Sequence, residues 1–417
     1  MGSHPSDSIA YVRRTMHRHA DVVVVGAGVF GTAMAITLAR QSRSVFLLER
    51  SLKEPDRIVG ELLQPGGVRA LEKLGLQQCL DEIDAIPVKG YEVLYHSRSV
   101  SIPYPTDHSA DPGRASKRLR AAAAAEPNIT IVETEVDGII KAEQSSQVLG
   151  VKSVTNSARD YFFASLTIVA DGYKSKFRAE SASRKPVSKS KFWALELRGV
   201  TLPSPCFGHT RALINVPDGL PSAKPSVGGV SHYIRQDLML YLPAEIQLSF
   251  SKSLDNQRLR FGDAMNMRHP LTGGGMTIAL NDVVLLQDLL HPSKVLDLEA
   301  TSLQKKNLTS VINILAQALY ALFSAEDRYM EALRKGCFEY FNRGGACIDG
   351  PARLLAGIVP KPIILIYHFF SVAVFSIWVF LSSQPGWRLP LTLLECGIIL
   401  FKACQVLFPC IAAELLT

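Results

Sequence analysis

No two of the seven cysteines stand two residues apart, and none has the spacing of a metal ligand set. That excludes zinc ribbons and thioredoxin-type dithiol sites. Cys396, Cys404 and Cys410 fall in an apolar tail, where cysteine acts as a small hydrophobe, and a reducing, cytosol-facing setting is expected. Met1 to Ala20 is polar, with Arg13, Arg14, His17, Arg18 and His19, and has no apolar core for a cleaved leader. Internal repeats are absent, and the alanine run Ala121 to Ala125 reads as helix. Nothing resembles a nucleic-acid module: the densest basic stretch, Lys174 to Lys191, alternates with serines and reads as a solvated loop. Paired carboxylates and Ser/His/Asp arrangements in a convincing context are missing too.

The chain does have apolar length. At 417 residues it can build two or three domains, and 47% hydrophobic residues is high for a soluble enzyme. The excess is concentrated at the end. Pro362 to Leu381 and Leu391 to Ala413 are each long enough to span a bilayer. Glu395 and Lys402 lie seven apart on one helical face, and charge at mid-bilayer is costly. A hairpin dipping into one leaflet, or packed on the enzyme with one face in lipid, is expected over two full spans. A net charge of +7 suits an anionic membrane surface.

Asp21 to Val25 is a β-branched run typical of a buried parallel strand. It leads into Gly26-Ala27-Gly28-Val29-Phe30-Gly31, a helical pattern from Thr32 to Arg40, and a second strand ending in Glu49-Arg50. This is G-x-G-x-x-G with strand before, helix after and an acid about 20 residues on. Gly26 makes the turn, Gly28 lets a pyrophosphate approach, Gly31 lets helix and strand pack, and Glu49 is placed for ribose hydroxyls. The motif alone leaves NAD and FAD open. Far along the chain, Gly262-Asp263-Ala264 and Gly273-Gly274-Gly275 precede a helical pattern from Met276 to Leu290. Consecutive glycines ahead of a helix start suit a bound anion, and Asp263 suits a ribityl chain, so the pair selects FAD. There is no second G-x-G-x-x-G, so no separate nicotinamide site is visible.

Leu52 to Gly67, Asn266 to Met276 and Asn313 to Tyr320 together resemble the squalene monooxygenase (squalene epoxidase) family, fungal-like, from about Asp21 to the C-terminus. The resemblance implies an α/β, Rossmann-type FAD-binding domain of the aromatic-hydroxylase kind, with an inserted β-sheet substrate domain and a C-terminal helical membrane-associated region. It implies FAD contacts from Val29, Phe30, Glu49, Arg50, Arg57, Leu62, Arg120, Val136, Asp263 and Met276. It also implies that Tyr91 sits at the catalytic pocket, within hydrogen-bonding distance of Gln64. The reaction implied is epoxidation of squalene to (3S)-2,3-oxidosqualene with O2, in sterol synthesis on the endoplasmic reticulum membrane. Electrons would come from NADPH through cytochrome P450 reductase, which fits the single dinucleotide motif.

The expected organisation is a polar extension over 1–20, FAD-binding parts at 21–180 and 261–299, a substrate domain at 181–260, and a helical region at 300–417. Three points depart from the family: Gly113-Arg114 into Ala115, Gly208-His209 into Thr210, and Arg260 into Phe261. At each, a segment present in relatives is missing, including strands of the substrate sheet. Mis-joined exons and a diverged paralogue both remain open.

Overall fold

The computed structural model describes residues 19–53, 62–83, 88–96, 98–105, 115–143, 147–172, 175–177, 190–197, 210–217, 272–293, 298–324, 327–359 and 361–415. Its centre is a six-stranded sheet. The strands are β1 (His19–Val25), β2 (Val45–Glu49), β5 (Ile129–Glu133), β6 (Glu135–Lys141), β7 (Val148–Thr155) and β8 (Ala158–Val169), in the order β5-β2-β1-β8-β7-β6. The first four neighbours run parallel, and β8, β7 and β6 form an antiparallel meander. Asn156 and Ser157 close its hairpin, both with left-handed φ (49° and 68°), as a two-residue turn requires.

The valine run of β1 is explained by burial on both faces. Val22 and Val24 point into one apolar cluster, Val23 and Val25 into another. On the first face lie helices α1 (Val29–Arg40), α2 (Pro65–Lys73), α3 (Ala115–Ala125) and α4 (Gly275–Leu289). Chain segments more than 200 residues apart thus share one core, with Met34, Leu47, Leu71, Leu119 and Leu280 essentially inaccessible.

Two smaller sheets lie apart from this one. β3 (Gly90–Tyr95) and β4 (Arg98–Pro103) form a hairpin that packs on helices of the C-terminal region, with Val100 and Ile102 against Phe338 and Phe341. β9 (Ser190–Leu197) pairs antiparallel with β10 (Thr210–Pro217). Among the described residues, β9 and β10 are the only strands between 178 and 271.

The C-terminal region is helical: α5 (Leu298–Ser324), α6 (Arg328–Asn342), α7 (Ala346–Leu355), α8 (Pro362–Ser382) and α9 (Leu389–Leu415). Asp327 caps α6 by accepting from the Tyr329 N–H at 2.8 Å. Where α6 crosses α8, a Cβ on Gly336 would stand 2.4 Å from the Ser376 Cα, so only glycine permits so close an approach. α8 and α9 are long and apolar enough to cross a membrane. The two charges inside the apolar stretch of α9, Glu395 and Lys402, are not left to lipid. Glu395 pairs with Arg328 at 2.9 Å and Lys402 with Asp327 at 2.8 Å, adjacent residues at the start of α6. The charged face of the hairpin is therefore turned onto the body of the protein over about 10 Å of helix. Its other face is apolar and exposed, carrying Tyr367 and Trp378 on α8 and Leu394 and Phe401 on α9. The six described cysteines are free, and burial pushes the Cys337 thiol up to about 12, leaving it unreactive.

Candidate flavin site and its neighbourhood

The three motif glycines take different parts in the structure. Gly26 has φ +102°, and a Cβ there would lie 2.3 Å from the Ala170 carbonyl, so the turn tolerates no side chain. A Cβ on Gly31 would lie 1.9 Å from the Gly26 carbonyl and 3.3 Å from Val24, which is the close packing of helix on strand. A Cβ on Gly28 would meet nothing within 4 Å. That open space sits at the N-cap of α1, which has no side-chain cap, and helix N-termini attract anions.

Glu49 and Arg120 brace this loop. The Glu49 carboxylate accepts from the Ala27 N–H at 2.7 Å, the Arg120 Nε donates to the Ala27 carbonyl at 2.8 Å, and the two side chains stand 3.8 Å apart. Val29, Phe30 and Met276 pack together on the core beneath the loop, joining the first and last flavin segments of the sequence. Leu62 lies against Gly273, whose φ of +62° and close approach to the leucine both require glycine. These residues converge. Val136 does not: its side chain is buried on the opposite face of the sheet with Val23 and Phe46. Arg50 lies on the exposed side near Glu135, whose carboxyl is held below its usual range first by Lys176 and then by Arg50. Arg57 and Asp263 lie outside the described residues.

A second group of polar atoms forms where α2, α4 and the β3–β4 hairpin meet. Gln64, the N-cap residue of α2, is completely buried. Its amide N–H2 donates to the Tyr91 hydroxyl at 2.5 Å and to the Thr272 carbonyl. The Tyr91 hydroxyl donates to the same carbonyl at 3.0 Å. Thr272, just before the glycine run, escaped the sequence reading because it acts through its backbone. Tyr104 was also missed, since an Ile-Pro-Tyr strand end carries no motif; its ring stands edge-on to Tyr91 at 5.4 Å.

Burial holds the Tyr91 phenol well above its ordinary 10.0, reinforced by the neighbouring Tyr104 and opposed by the bond from Gln64. Tyr104 is raised as well, again by burial. An unfolded tyrosine loses its proton first as pH rises, so the folded state is favoured fully below about pH 10 and loses that advantage above it. Thermal melts across the alkaline range should show wild type losing stability more steeply above about pH 10 than Tyr91→Phe. Parallel curves would show that the phenol is not buried.

Next to the cluster that holds Tyr91, helices α5 to α9 line a narrow cavity of about 80 Å³ that is partly open to the surface. Its lining is apolar, with Leu319, Phe341, Leu354, Phe369 and Val406, and His368 as its one ionisable nitrogen base. Tyr91 packs on the cluster that contains Phe341 and Cys337, two residues of that lining.

Residues 19–209 match the FAD binding domain family, and residues 259–394 match the squalene epoxidase family. The squalene epoxidase of Aspergillus fumigatus is 46% identical over 467 aligned positions, covering 98% of this chain and 97% of that protein. That of Gibberella zeae is also 46% identical, covering 95% and 96%, and the squalene monooxygenase of Mus musculus is 38% identical, covering 95% and 78%. An alignment of 467 positions on a chain of 417 residues opens at least 50 positions of gap on this side, in line with segments missing from the sequence. Among solved structures, a flavoprotein/dehydrogenase from Cytophaga hutchinsonii superposes with TM-score 0.64 at 14% identity, covering 86% of this chain and 99% of that one. The flavin-dependent brominase Bmp2 superposes with TM-score 0.63 at 12% identity, covering 86% and 99%. These show a shared fold. The near full-length identity to the curated fungal and mammalian proteins goes further: the chain belongs to the squalene epoxidase family.

Proposed function

We propose that this chain is an FAD-dependent monooxygenase that epoxidises squalene to (3S)-2,3-oxidosqualene with O2, as a step of ergosterol-type sterol synthesis. The observation that carries the reading is identity of 46% across 97–98% of both chains with a squalene epoxidase. The open space at Gly28, beside an uncapped helix start and the braced Ala27 loop, fits a dinucleotide pyrophosphate. Gly26, Gly28, Val29, Phe30, Gly31, Glu49, Arg50, Arg57, Leu62, Arg120, Asp263 and Met276 would hold the FAD, and the Val136 side chain, on the other face of the sheet, would not. When bound, it supplies the activation of O2.

The protein's own part is to hold, orient and keep dry. Squalene is a hydrocarbon, and the cavity among α5 to α9 offers it an almost wholly apolar wall. The Tyr91 phenol accepts from Gln64 and gives its proton to the Thr272 carbonyl, which fixes its orientation next to the apolar cluster. Electrons would come from NADPH-cytochrome P450 reductase, since one dinucleotide motif serves one cofactor. The exposed apolar face of α8 and α9 would rest on the endoplasmic reticulum membrane, with the catalytic body on the cytosolic side.

A second reading is a diverged or inactive paralogue that binds flavin or acts on another polyprenoid. It is favoured by the positions missing from the alignment with the fungal relative. One experiment separates the two. The full chain, purified in mild detergent, should show near-stoichiometric flavin absorbance and convert squalene to the epoxide when the reductase and NADPH are supplied. Flavin retention without epoxide would support the second reading, and a chain that retains no flavin would overturn both.

A further inference from the structure

Tyr104 is buried, with 5% of its surface accessible, and among the described residues its hydroxyl makes no hydrogen bond of good geometry, although it interacts with the Tyr91 hydroxyl. Buried hydroxyls without a well-formed hydrogen bond are uncommon, so this one asks for a reason. The residue is pinned on three sides. Its backbone N–H donates to the Lys89 carbonyl at 2.8 Å, at the open end of the β3–β4 hairpin. Its ring meets Tyr91 edge-on and packs with Ala356. The Ala356 carbonyl in turn accepts from the Gly66 N–H at 2.9 Å, two residues beyond Gln64. A closed circuit results: Gln64 to Tyr91 by hydrogen bond, Tyr91 to Tyr104 by ring contact, Tyr104 to Ala356 by packing, and Ala356 back to the start of α2.

We infer that Tyr104 is a positioning residue for the Gln64–Tyr91 pair, its ring setting the plane of the Tyr91 phenol and its hydroxyl constraining the phenol oxygen. The inference rests on the reading that Tyr91 lies at the reacting end of the squalene cavity. The Tyr91 oxygen already accepts from Gln64 and gives its proton to the Thr272 carbonyl. One lone pair remains on it, and the Tyr104 hydroxyl is the neighbouring polar group. The two phenols are close enough that each alters the other's affinity for a proton. The edge-on ring limits rotation of Tyr91 about its ring axis, and the contact between hydroxyls fixes the direction of its O–H.

Tyr104→Phe keeps the ring and removes only the hydroxyl, which makes it the discriminating variant. In the full-length protein carrying 3-fluorotyrosine at position 91, it should move the fluorine resonance, whereas Tyr161→Phe, on an exposed strand position, should not. With reductase and squalene, kcat should fall about tenfold, as for other slightly misaimed groups, at unchanged KM and unchanged flavin content. A purely structural tyrosine would move thermal stability and leave kcat alone. The inference is overturned if the resonance stays put, or if it moves while kcat keeps within about twofold of wild type. Should the wild-type chain not turn squalene over, the reading of the site fails by itself, and the resonance still decides whether Tyr104 positions Tyr91.

Discussion

Gly28→Val is expected to give a folded chain that no longer retains flavin. Gly28 has φ −76°, which valine adopts without strain, and a Cβ there meets no protein atom within 4 Å. Replacing a glycine at an N-cap by a β-branched residue costs on the order of 1 kcal/mol, which a domain of this size absorbs. The valine would instead fill the space beside the helix start that the pyrophosphate needs. Affinity should fall at least about a hundredfold, about 2.7 kcal/mol. Gly31→Val gives the necessary contrast. Its Cβ would sit 1.9 Å from the Gly26 carbonyl, so helix and strand must part, at a cost of more than about 4 kcal/mol. Flavin absorbance per chain and the thermal melt of the apoprotein read the two effects separately. Full flavin content in Gly28→Val would remove the dinucleotide assignment of this loop.

The contrast also shows which parts of this protein were legible in its sequence. The βαβ start could be read because each of its glycines answers to a local rule of backbone geometry, and those rules hold in the structure. β1 and α1 begin two or three residues earlier than periodicity alone suggested, at His19 and Val29. Polar His19, and Val29 and Phe30 inside the glycine motif, carry no periodic signal. Of the β9–β10 pair, Ser190–Leu197 carries an aromatic and apolar run of its own, whereas Thr210–Pro217 begins at a point where the chain departs from its relatives. Gln64 and Tyr91 were named only through family resemblance. Nothing local marks a glutamine before Gly-Gly or a tyrosine at a strand start, and the geometry that joins them to Thr272 spans 208 residues. The partners of Glu395 and Lys402 were illegible for the same reason. Two charges on one helical face announce a cost, but only the fold shows that Asp327 and Arg328 stand opposite them.

Those ion pairs change how the membrane tail should be tested. Removing 362–417 looks like the direct way to release the protein from membranes. Yet Leu365, Leu407, Ile399 and Ala403 are core residues packed on Val311, Met330 and Leu333. Truncation would expose that core, and the product should aggregate whether or not the tail binds lipid. The informative variant leaves the inner face intact and changes the outer one: Tyr367→Ser, Trp378→Ser, Leu394→Ser and Phe401→Ser together, at positions 60–70% exposed. A large apolar side chain contributes about 1.5–3 kcal/mol when fully transferred from water, so four partly exposed ones contribute on the order of 4–8 kcal/mol. Partition onto phosphatidylcholine vesicles should therefore drop by about a thousandfold or more, while the thermal melt stays near that of wild type. A variant that still floats with the vesicles would move the lipid contact off this face. If the variant instead stays in solution and holds its fold, the outer face of the hairpin is the part that meets the bilayer. The same result would leave α6 and its two ion pairs as what holds the hairpin to the catalytic body, with one face for the enzyme and one for lipid.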